Sequence, residues 1–470
     1  MNKFYITTAI PYVNAKPHIG HALEFVEADV IKRYHEILGD QTLLLSGADE
    51  NALKNVQAAE KENISVQNLV DKNSKLFENL AKKLNINFDV FQRGSGTKHH
   101  SSSQKLWELC EKDIYKKTYA GLYCIGCEQF YEKEELNEKG ECFEHPGKKL
   151  EEVEEENYFF RLSKYQDALI KLIEPNTLAI VPEFRKNEML SFLKNPLQDI
   201  SISRSNERAK NWGVKIPGDD SQRMYVWFDA LNIYQSGVGF GLDEKKYEKW
   251  WPVDLHVIGK GILRFHAIYW PAFLLSAGLK LPKKIFVHEY ITVNGQKMSK
   301  TVGNVLDPIP LIEKYGADAL RYYLLAKISP FSDGDFSEEK FKETYNADLA
   351  NGLGNLIARV AKLCERVTLK SSPTPTLSEE YKKSFENFKF NEILENIWNE
   401  IRILDQQINT AEPWKITDEK KLIQVLQSAV DGIISVANGL KPFLPETTDK
   451  IEDQFKGSKI TSGKPLFPRI

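Results

Sequence analysis

The chain has 470 residues, enough for about three domains that each bury a core, and its 42% apolar and 27% charged residues are typical of a soluble globular protein. The net charge of −3 excludes a globally basic nucleic-acid binder, so any nucleic-acid partner must be met by local basic patches. The chain has no run of about 18 apolar residues and no basic-then-apolar leader, which predicts a cytoplasmic protein without a membrane span.

Residues 1–115 alternate between predicted strands and helices. The run 4–12 is rich in β-branched and aromatic residues and predicts a buried strand. A helix follows from Ile19, where apolar residues recur at helical spacing. This alternation indicates a βαβαβ half of a doubly wound fold. The further predicted elements are a strand over 41–46, a helix over 69–84 and a strand over 88–92.

The loop between the first strand and the first helix carries the motif His18-Ile19-Gly20-His21. A strand, a short loop and a helix point backbone N–H groups and the positive end of the helix dipole at an anion. The two histidines are three residues apart and share one face of the first turn, and imidazole donates hydrogen bonds to phosphate oxygens. One capping and one packing histidine explain the same pattern, so the motif needs support from elsewhere in the chain.

Ligands of doubly wound folds bind beyond the carboxyl ends of the strands. Asp49 lies at such an end, close behind the second predicted strand. Its carboxylate is predicted either to hold an ammonium group or to cap the following helix.

Residues 116–223 break the α/β pattern, which predicts an insertion between two Rossmann halves. Within it, Cys124 and Cys127 are followed, after 14 intervening residues, by Cys142 and His145. Two knuckles of this spacing favour one tetrahedral Zn²⁺ with three thiolates and one imidazole over buried free thiols. A site with four protein ligands has no open position for water, so we expect one structural zinc per chain.

The α/β pattern resumes over residues 224–334. Residues 225–231 are predicted to end a strand, and residues 255–258 form another. The apolar run 285–293 then leads to the motif Lys297-Met298-Ser299-Lys300 on a Gly-flanked loop. Its lysines form a mobile pair of cations suited to a polyphosphate leaving group, although lysine pairs in loops are usually solvated surface.

An aromatic-walled pocket is predicted in the same half of the sequence. Ile262, His266 and Trp270 fall on one helical stripe, which by itself is typical of core packing. Combined with Trp227 and Tyr234, the stripe indicates a pocket for an apolar side chain, with His266 as its polar element. Aromatic walls suit a polarisable thioether.

Strand patterns end near residue 335, and four segments with helical periodicity predict a helical bundle. They cover 346–367, 379–409, 417–438 and 442–455. We therefore predict a Rossmann-type doubly wound parallel sheet (1–115 and 224–334), split by a zinc-binding insertion (116–223) and followed by an α-helical bundle (335–470). Because the chain stops where the bundle is expected to end, we expect a monomer.

The two motifs in this order resemble the signatures of the class I aminoacyl-tRNA synthetases, His-Ile-Gly-His and Lys-Met-Ser-Lys-Ser. The first is matched completely and the second except for Thr301, which keeps a hydroxyl. Further stretches are similar to the methionyl-tRNA synthetases in particular, and the resemblance covers essentially the whole chain. These stretches are Ala9-Ile10-Pro11-Tyr12-Val13-Asn14, the zinc knuckles, Trp227-Phe228-Asp229-Ala230, Asn355-Leu356-Ile357-Ala358-Arg359 and Glu412-Pro413-Trp414.

The resemblance implies that methionine is activated by ATP and Mg²⁺ to methionyl-adenylate and transferred to the 3′ end of methionine tRNA. It implies that the catalytic residues are His18, His21, Lys297 and Lys300, and that ATP also contacts Met298 and Ser299. It implies a methionine pocket made of Ala9, Ile10, Tyr12, Trp227, Ala230, Tyr234, Ile262, His266 and Trp270, with Asp49 on the α-amino group. It assigns the CAU anticodon to Asn355, Arg359 and Trp414.

Two departures from the family pattern accompany the resemblance. Asp49-Glu50-Asn51-Ala52 stands where the family often has Asp-Glu-His-Gly, which leaves the setting of Asp49 open, and Leu231 stands where some members have proline. The alternatives are another class I synthetase, a small-molecule nucleotidyltransferase and a non-catalytic tRNA-binding paralogue. The first differs in its pocket, the second has no use for the bundle, and the third should have lost motif residues.

Overall fold

The computed structural model describes residues 2–470 apart from 125–128, 132–135, 143–146, 149, 299–302 and 374. Its strands are β1 (Lys3–Thr7), β2 (Gln41–Ala48), β3 (Val90–Arg93), β4 (Ile114–Cys124), β5 (Gln129–Tyr131), β6 (Glu151–Phe160), β7 (Ala179–Val181), β8 (Ile200–Ser201), β9 (Ser203–Ser205), β10 (Lys215–Ile216), β11 (Asp219–Met224), β12 (Leu255–Gly259), β13 (Lys284–His288), β14 (Ile291–Val293), β15 (Gln296–Lys297) and β16 (Gly334–Phe336).

The α-helices are α1 (Ile19–Ile37), α2 (Leu53–Glu62), α3 (Val66–Lys83), α4 (Thr97–Cys110), α5 (Gln166–Ile173), α6 (Glu183–Phe192), α7 (Asn206–Ala209), α8 (Val226–Leu231), α9 (Ile233–Ser236), α10 (Glu244–Trp250), α11 (Trp270–Ala277), α12 (Ile309–Tyr315), α13 (Ala317–Ala326), α14 (Glu338–Thr344), α15 (Asn355–Cys364), α16 (Glu379–Glu386), α17 (Phe390–Ala411), α18 (Glu419–Leu440) and α19 (Pro445–Phe455). The chain is π-helical over Phe265–Tyr269 and Tyr345–Gly354. Short 3₁₀ turns cover Glu111–Asp113, Leu162–Tyr165, Lys260–Ile262 and Pro413–Lys415.

The chain divides into two compact units. The first unit contains residues 1–17, 35–81 and 87–288, and the second contains residues 18–34, 82–86 and 289–470. The sequence places a boundary near 335, whereas the second unit already begins at Glu289 and also includes the start of α1.

A parallel sheet lies at the centre of the first unit. Among the described residues it has six strands in the order β3-β2-β1-β12-β13-β7. Its middle strands read as continuous apolar runs because both of their faces are covered, and Ile6, Leu44 and Val257 are fully buried. The order reverses between the neighbours β1 and β12, and ligands bind beyond the carboxyl ends of the strands at such a point.

Several predicted strands change their limits in the structure. The strand predicted over 4–12 ends at Thr7, well before Pro11, which cannot donate a ladder hydrogen bond. The prediction that residues 225–231 end a strand is wrong, since β11 stops at Met224 and helix α8 begins at Val226. A short apolar run buried on all sides has no period that separates strand from helix.

The segment between β3 and β12 is mostly antiparallel. Strands β5-β4-β6-β8 form one sheet and β10-β11-β9 another. One strand from inside the predicted insertion, β7, joins the edge of the parallel sheet by pairing with β13. Only long-range pairing determines where such a short strand goes, so its own sequence does not predict it.

The second unit is built mainly from helices. Helix α18 packs against α15, α17 and α19, and α13 packs against α17 and α19. In the middle of α13, Arg321 is fully buried, lies 2.7 Å from the Asp29 carboxylate and donates to the carbonyls of Leu84, Pro442 and Phe443. A buried guanidinium that uses its donors in this way stabilises one arrangement of the helices, because removing one partner leaves a buried charge uncompensated. Within the described part of the chain, no helix is long and apolar enough to cross a membrane.

Candidate active site

The aromatic residues of the predicted pocket meet on one apolar wall of the first unit. Tyr12 approaches Trp227 edge-on with 6.3 Å between ring centroids, and Phe265 stacks on Trp227 at 3.6 Å. The ring centroids of Tyr234 and Trp270 lie 6.5 Å apart. The remaining predicted members, which belong to or pack against the same cluster, are Ala9, Ile10, Ala230 and Ile262. The segments after β1 and β12 carry several of these residues, which explains why the wall forms where the strand order reverses.

His266 is a neutral polar group within this wall. Its Nδ1 lies 2.9 Å from the Ile262 carbonyl oxygen, which only accepts, so Nδ1 carries the proton. The bare Nε2 then accepts from the Tyr234 hydroxyl at 2.8 Å. Burial lowers the pKa of His266 to about 4, so the ring is uncharged at neutral pH. The wall therefore contains a hydrogen-bonded, uncharged pair, which suits an apolar side chain.

Asp49 lies in a loop whose backbone is held in place by hydrogen bonds. Its backbone N–H donates to the Pro11 carbonyl at 2.9 Å, and its own carbonyl accepts from Asn55 at 2.9 Å. The buried Glu50 carboxylate accepts from Ser74, Arg93 and Ser95. These contacts fix the backbone that carries the Asp49 carboxylate at the end of β2.

Both histidines of the first motif are held in one tautomer in the second unit. The backbone N–H of Gly20 donates to His18 Nδ1 at 3.1 Å, and the N–H of His18 donates to His21 Nδ1 at 3.1 Å. A nitrogen that accepts carries no proton, so each neutral ring has its proton on Nε2. The two rings lie 3.9 Å apart and present matching Nε2–H donors.

The backbone N–H groups at the start of α1 are used internally, which corrects the prediction that they bind an anion. Ile19 N–H donates to the Leu306 carbonyl at 3.0 Å, Gly20 N–H to His18 Nδ1, and His21 N–H to the His18 carbonyl at 2.9 Å. The first turn of α1 contains no acidic residue, so the positive end of the helix dipole is not neutralised there. This turn can therefore attract an anion through the helix dipole and the imidazoles, but not through free backbone amides.

The lysine motif meets the histidine motif inside the second unit. A Cβ placed on Gly20 would lie 3.7 Å from the Met298 methyl group, so Met298 packs against the first turn of α1. Lys297 has its Nζ 5.5 Å from the Tyr290 ring centroid, and its carbonyl accepts from Asn304 at 3.2 Å. Ser299, Lys300 and Thr301 lie outside the described residues.

Comparison with known proteins identifies the family. A family model described as tRNA synthetases class I (M) matches residues 4–361. This match covers well over half of the chain and includes both signatures. The chain belongs to this family.

Relatives and solved structures agree with the class I (M) assignment. The chain is 38% identical to the methionine–tRNA ligase of Thermotoga maritima, with 100% of this chain and 80% of the relative aligned. It is 39% identical to the methionine–tRNA ligase of Rhizobium meliloti, with 99% and 98% aligned. The structure of Mycobacterium tuberculosis methionyl-tRNA synthetase in complex with methionyl-adenylate superposes with a TM-score of 0.92 at 35% identity, covering 100% of both chains. The predicted α/β fold with a parallel sheet and a helical C-terminal region is therefore confirmed as that of a class I synthetase.

The anticodon residues that the class I resemblance implies lie on neighbouring elements of the second unit. Asn355 and Arg359 are one turn apart on α15, and the Arg359 guanidinium lies 5.2 Å from the Trp414 ring centroid. Arg359 also donates to Asp405 at 3.0 Å and to Asn409 at 2.6 Å. Trp414 is 46% exposed, unusually high for tryptophan, so part of its ring is open to solvent.

The class I (M) insertion contains half of the predicted zinc ligands within the described residues. Cys124 and Cys142 are both buried in one small apolar cluster with Leu150. Cys127 and His145 lie outside the described residues. In the part of the chain that the structure does describe, no group of three or more metal-ligating side chains occurs.

Sequence reasoning missed two residues beside the apolar wall. Phe265 forms the stack on Trp227, and the buried ring of His256 lies 4.5 Å from that of Tyr234. A histidine inside the apolar strand 255–258 is the signal that points to His256. Nothing in the sequence separates Phe265 from other buried phenylalanines.

Proposed function

We propose that this chain activates methionine with ATP and transfers the methionyl group to the 3′ end of methionine tRNA. The observation that carries the proposal is the packing of Met298 against Gly20, which brings two motifs some 280 residues apart into one compact unit. Membership of the class I (M) family and the names of its relatives support the same activity. We place this activity in the cytoplasm, where tRNA is charged.

The first step is attack of a methionine carboxylate oxygen on the α-phosphorus of ATP. The bond between the α-phosphorus and the bridging oxygen breaks, and pyrophosphate leaves. Because the nucleophile is already ionised, no general base is needed, and catalysis consists of positioning and charge stabilisation. In the second step a ribose hydroxyl of the terminal tRNA nucleotide attacks the carbonyl carbon, and AMP leaves.

Each substrate of the first step has its own set of residues. His18 and His21 donate from Nε2 to phosphate oxygens, while Lys297 and Lys300 compensate the charge that grows on pyrophosphate, with Met298 and Ser299 in the same loop. Asp49 holds the α-ammonium group. The methionine side chain lies against Ala9, Ile10, Tyr12, Trp227, Ala230, Tyr234, Ile262, His266 and Trp270.

Mg²⁺ accompanies ATP and neutralises phosphate charge. Such an ion takes most of its ligands from phosphate oxygens and water.

We also propose one structural zinc in the insertion 116–223, bound by Cys124, Cys127, Cys142 and His145. The burial of Cys124 and Cys142 in one cluster supports it, since thiolate donors in a shared apolar pocket suit a closed tetrahedral site. We expect about one zinc per purified chain by elemental analysis, and loss of the metal in Cys142→Ser. A metal-free wild-type protein that folds and charges tRNA normally would remove this proposal.

For tRNA, we propose the helical region 335–470 as the anticodon-binding domain. Trp414 provides a ring for stacking on an unpaired base, and such stacking contributes about 1–3 kcal/mol. Arg359 and Asn355 supply hydrogen bonds to base edges.

The function is tested by ATP–pyrophosphate exchange with a panel of amino acids. We expect exchange with methionine and none with leucine, isoleucine, valine or cysteine. His21→Ala should lower the methionine-dependent rate by on the order of a hundredfold, the usual effect of losing one transition-state donor. His35→Ala is the matched control, since this histidine on the same helix stacks on Phe4 and pairs with Asp40. Exchange that survives His21→Ala unchanged would contradict the proposed role.

A further inference from the structure

A buried polar cluster lies behind the apolar wall of the first unit. We call it the Asp229 network; its members are Asn51, His99, Ser103, Asp229 and Ser236. Apart from Asn51, these side chains are almost completely buried. No sequence motif assigns any of these five residues a role in binding.

Asp229 is the centre of this network. Its Oδ1 accepts from His99 Nε2 at 2.7 Å and from Ser103 Oγ at 2.9 Å, and its Oδ2 accepts from Asn51 Nδ2 at 2.6 Å. Burial raises the pKa of Asp229, but the interactions with His99, His100 and Asn51 together outweigh it and leave that pKa below its ordinary value. Asp229 is therefore an ionised carboxylate with three donors in a dry setting.

The network joins three segments that carry the proposed methionine site. Asp229 lies on α8 between Trp227 and Ala230. Asn51 lies two residues after Asp49, in the loop that follows β2. His99 contacts Asp229 through Nε2 and Ser236 through Nδ1, at 2.7 Å each, and Ser236 closes α9, the helix of Tyr234.

We propose that Asp229 is a positioning residue for methionine, which sets the distance between the Asp49 carboxylate and the aromatic wall. This inference rests on the proposed function. A methionine bound through its ammonium group and its side chain spans the two segments that Asp229 and Asn51 join. Loss of the link lets the two ends of the site move independently, which weakens methionine binding and leaves ATP binding unchanged.

The first test is Asp229→Asn in ATP–pyrophosphate exchange. We expect the KM for methionine to rise on the order of tenfold, and the KM for ATP to stay within about twofold of wild type. Asp113→Asn is the matched control, because Asp113 is also a buried carboxylate with three side-chain donors, Lys164, Tyr165 and Ser276. Thermal unfolding measures how much stability each variant loses. If Asp113→Asn loses a comparable amount of stability but keeps the wild-type KM for methionine, the effect at Asp229 is not due to lost stability.

The second test is Asn51→Asp, which replaces a donor by a carboxylate of the same shape. Repulsion between two carboxylates this close raises the pKa of one of them, so that group retains a proton at low pH, donates in place of the amide and loses the proton as pH rises. The ratio of the variant's KM for methionine to the wild-type KM should therefore rise as pH is raised from 6 to 8.5. In Asn51→Ala, which has no titrating group at this position, the ratio should be raised but constant with pH.

The outcomes separate the inference from the proposed function. If wild type exchanges pyrophosphate with methionine, and Asp229→Asn and Asn51→Asp change the two KM values as described, the positioning role is supported. If wild type is active but Asp229→Asn changes both KM values equally, or matches Asp113→Asn, the residue is only structural. If wild type shows no methionine-dependent exchange, the proposed function itself is wrong.

Discussion

Backbone amides help to orient both histidines of the first motif. Gly20 and His18 each give an N–H to an imidazole Nδ1, and this fixes the donor on the opposite nitrogen. The arrangement favours a residue without a side chain at position 20, since a Cβ there would make an unusually tight contact with the ring of His18. The sequence predicts the pair of histidines, but not that the backbone amides of His18 and Gly20 donate to their rings.

Gly20→Ala tests this at the scale of one methyl group. The added Cβ would lie 3.0 Å from Cε1 and 3.1 Å from Nδ1 of His18, so the ring must move. Alanine favours a helix over glycine by about 1 kcal/mol, so stability should not fall. We therefore expect methionine-dependent exchange to drop on the order of tenfold while the melting temperature is unchanged or higher. Gly457→Ala is the control, since among the described residues its Cβ would meet the Lys459 carbonyl at an ordinary contact distance of 3.8 Å. Equal activity of the two variants would argue against the steric explanation.

The departure at Asn51 illustrates what single-residue reasoning leaves open. From the sequence, Asn51 only makes the setting of Asp49 uncertain. In the structure its amide donates to Asp229 and to the Gly94 carbonyl, so it links segments 178 residues apart. Such a partner is set by tertiary packing and has no local sequence signal.

At the scale of elements, Arg359 on α15 contacts both α17 and the turn after α17. Asp405 and Asn409 are one turn apart on α17 and both accept from the guanidinium, while Trp414 covers one side of it. The helical periodicity of this region predicts the helices well, because each has a clear apolar face. The contacts of Arg359 depend on how α15 and α17 are rotated relative to each other. The helical periodicity of the sequence does not predict this rotation.

Asp405→Ala should release Arg359 without disturbing the chemistry of activation. We expect the KM for tRNA in aminoacylation to rise on the order of tenfold, since a mobile guanidinium loses its geometry for base edges. ATP–pyrophosphate exchange without tRNA should keep its wild-type rate. Asp453→Ala is the control, because this exposed carboxylate on α19 pairs with Lys456 and lies on a different helix from Arg359 and its partners. A change in exchange as large as that in aminoacylation would refute the assignment.

For the molecule as a whole, the order of α/β and helical regions follows from the sequence because each region has a strong period. The division into compact units does not, since residues 18–34 and 82–86 group with the C-terminal helices although they lie far from them along the chain. The sequence also does not predict that β7 pairs at the edge of the parallel sheet. Both depend on long-range contacts that no local pattern encodes.

Stability of the whole chain should fall in mild acid. Burial holds the pKa of His266 at about 4, below its ordinary 6.5, and also lowers the pKa of His256 well below its ordinary value. Below pH 6.5 the unfolded chain therefore binds more protons than the folded one. The free energy of unfolding consequently has its full value above that pH and declines as pH falls toward 4. From pH 7 to 4.5, we expect His266 alone to cost about 2.5 kcal/mol. Denaturant unfolding of wild type and His266→Gln at both pH values measures this; equal losses in the two proteins would exclude His266 as the source.

The π-helical turn over Phe265–Tyr269 is the geometry that an α-helix adopts when it accommodates one extra residue. Deleting one residue there would restore the tighter winding and rotate the preceding side chains by about 100° relative to Trp270. His266 would then turn away from Tyr234, although every amino acid of the wall is still present. The number of residues in this turn is consequently a stricter requirement than their identity, and natural homologues should vary here by substitution and not by insertion or deletion.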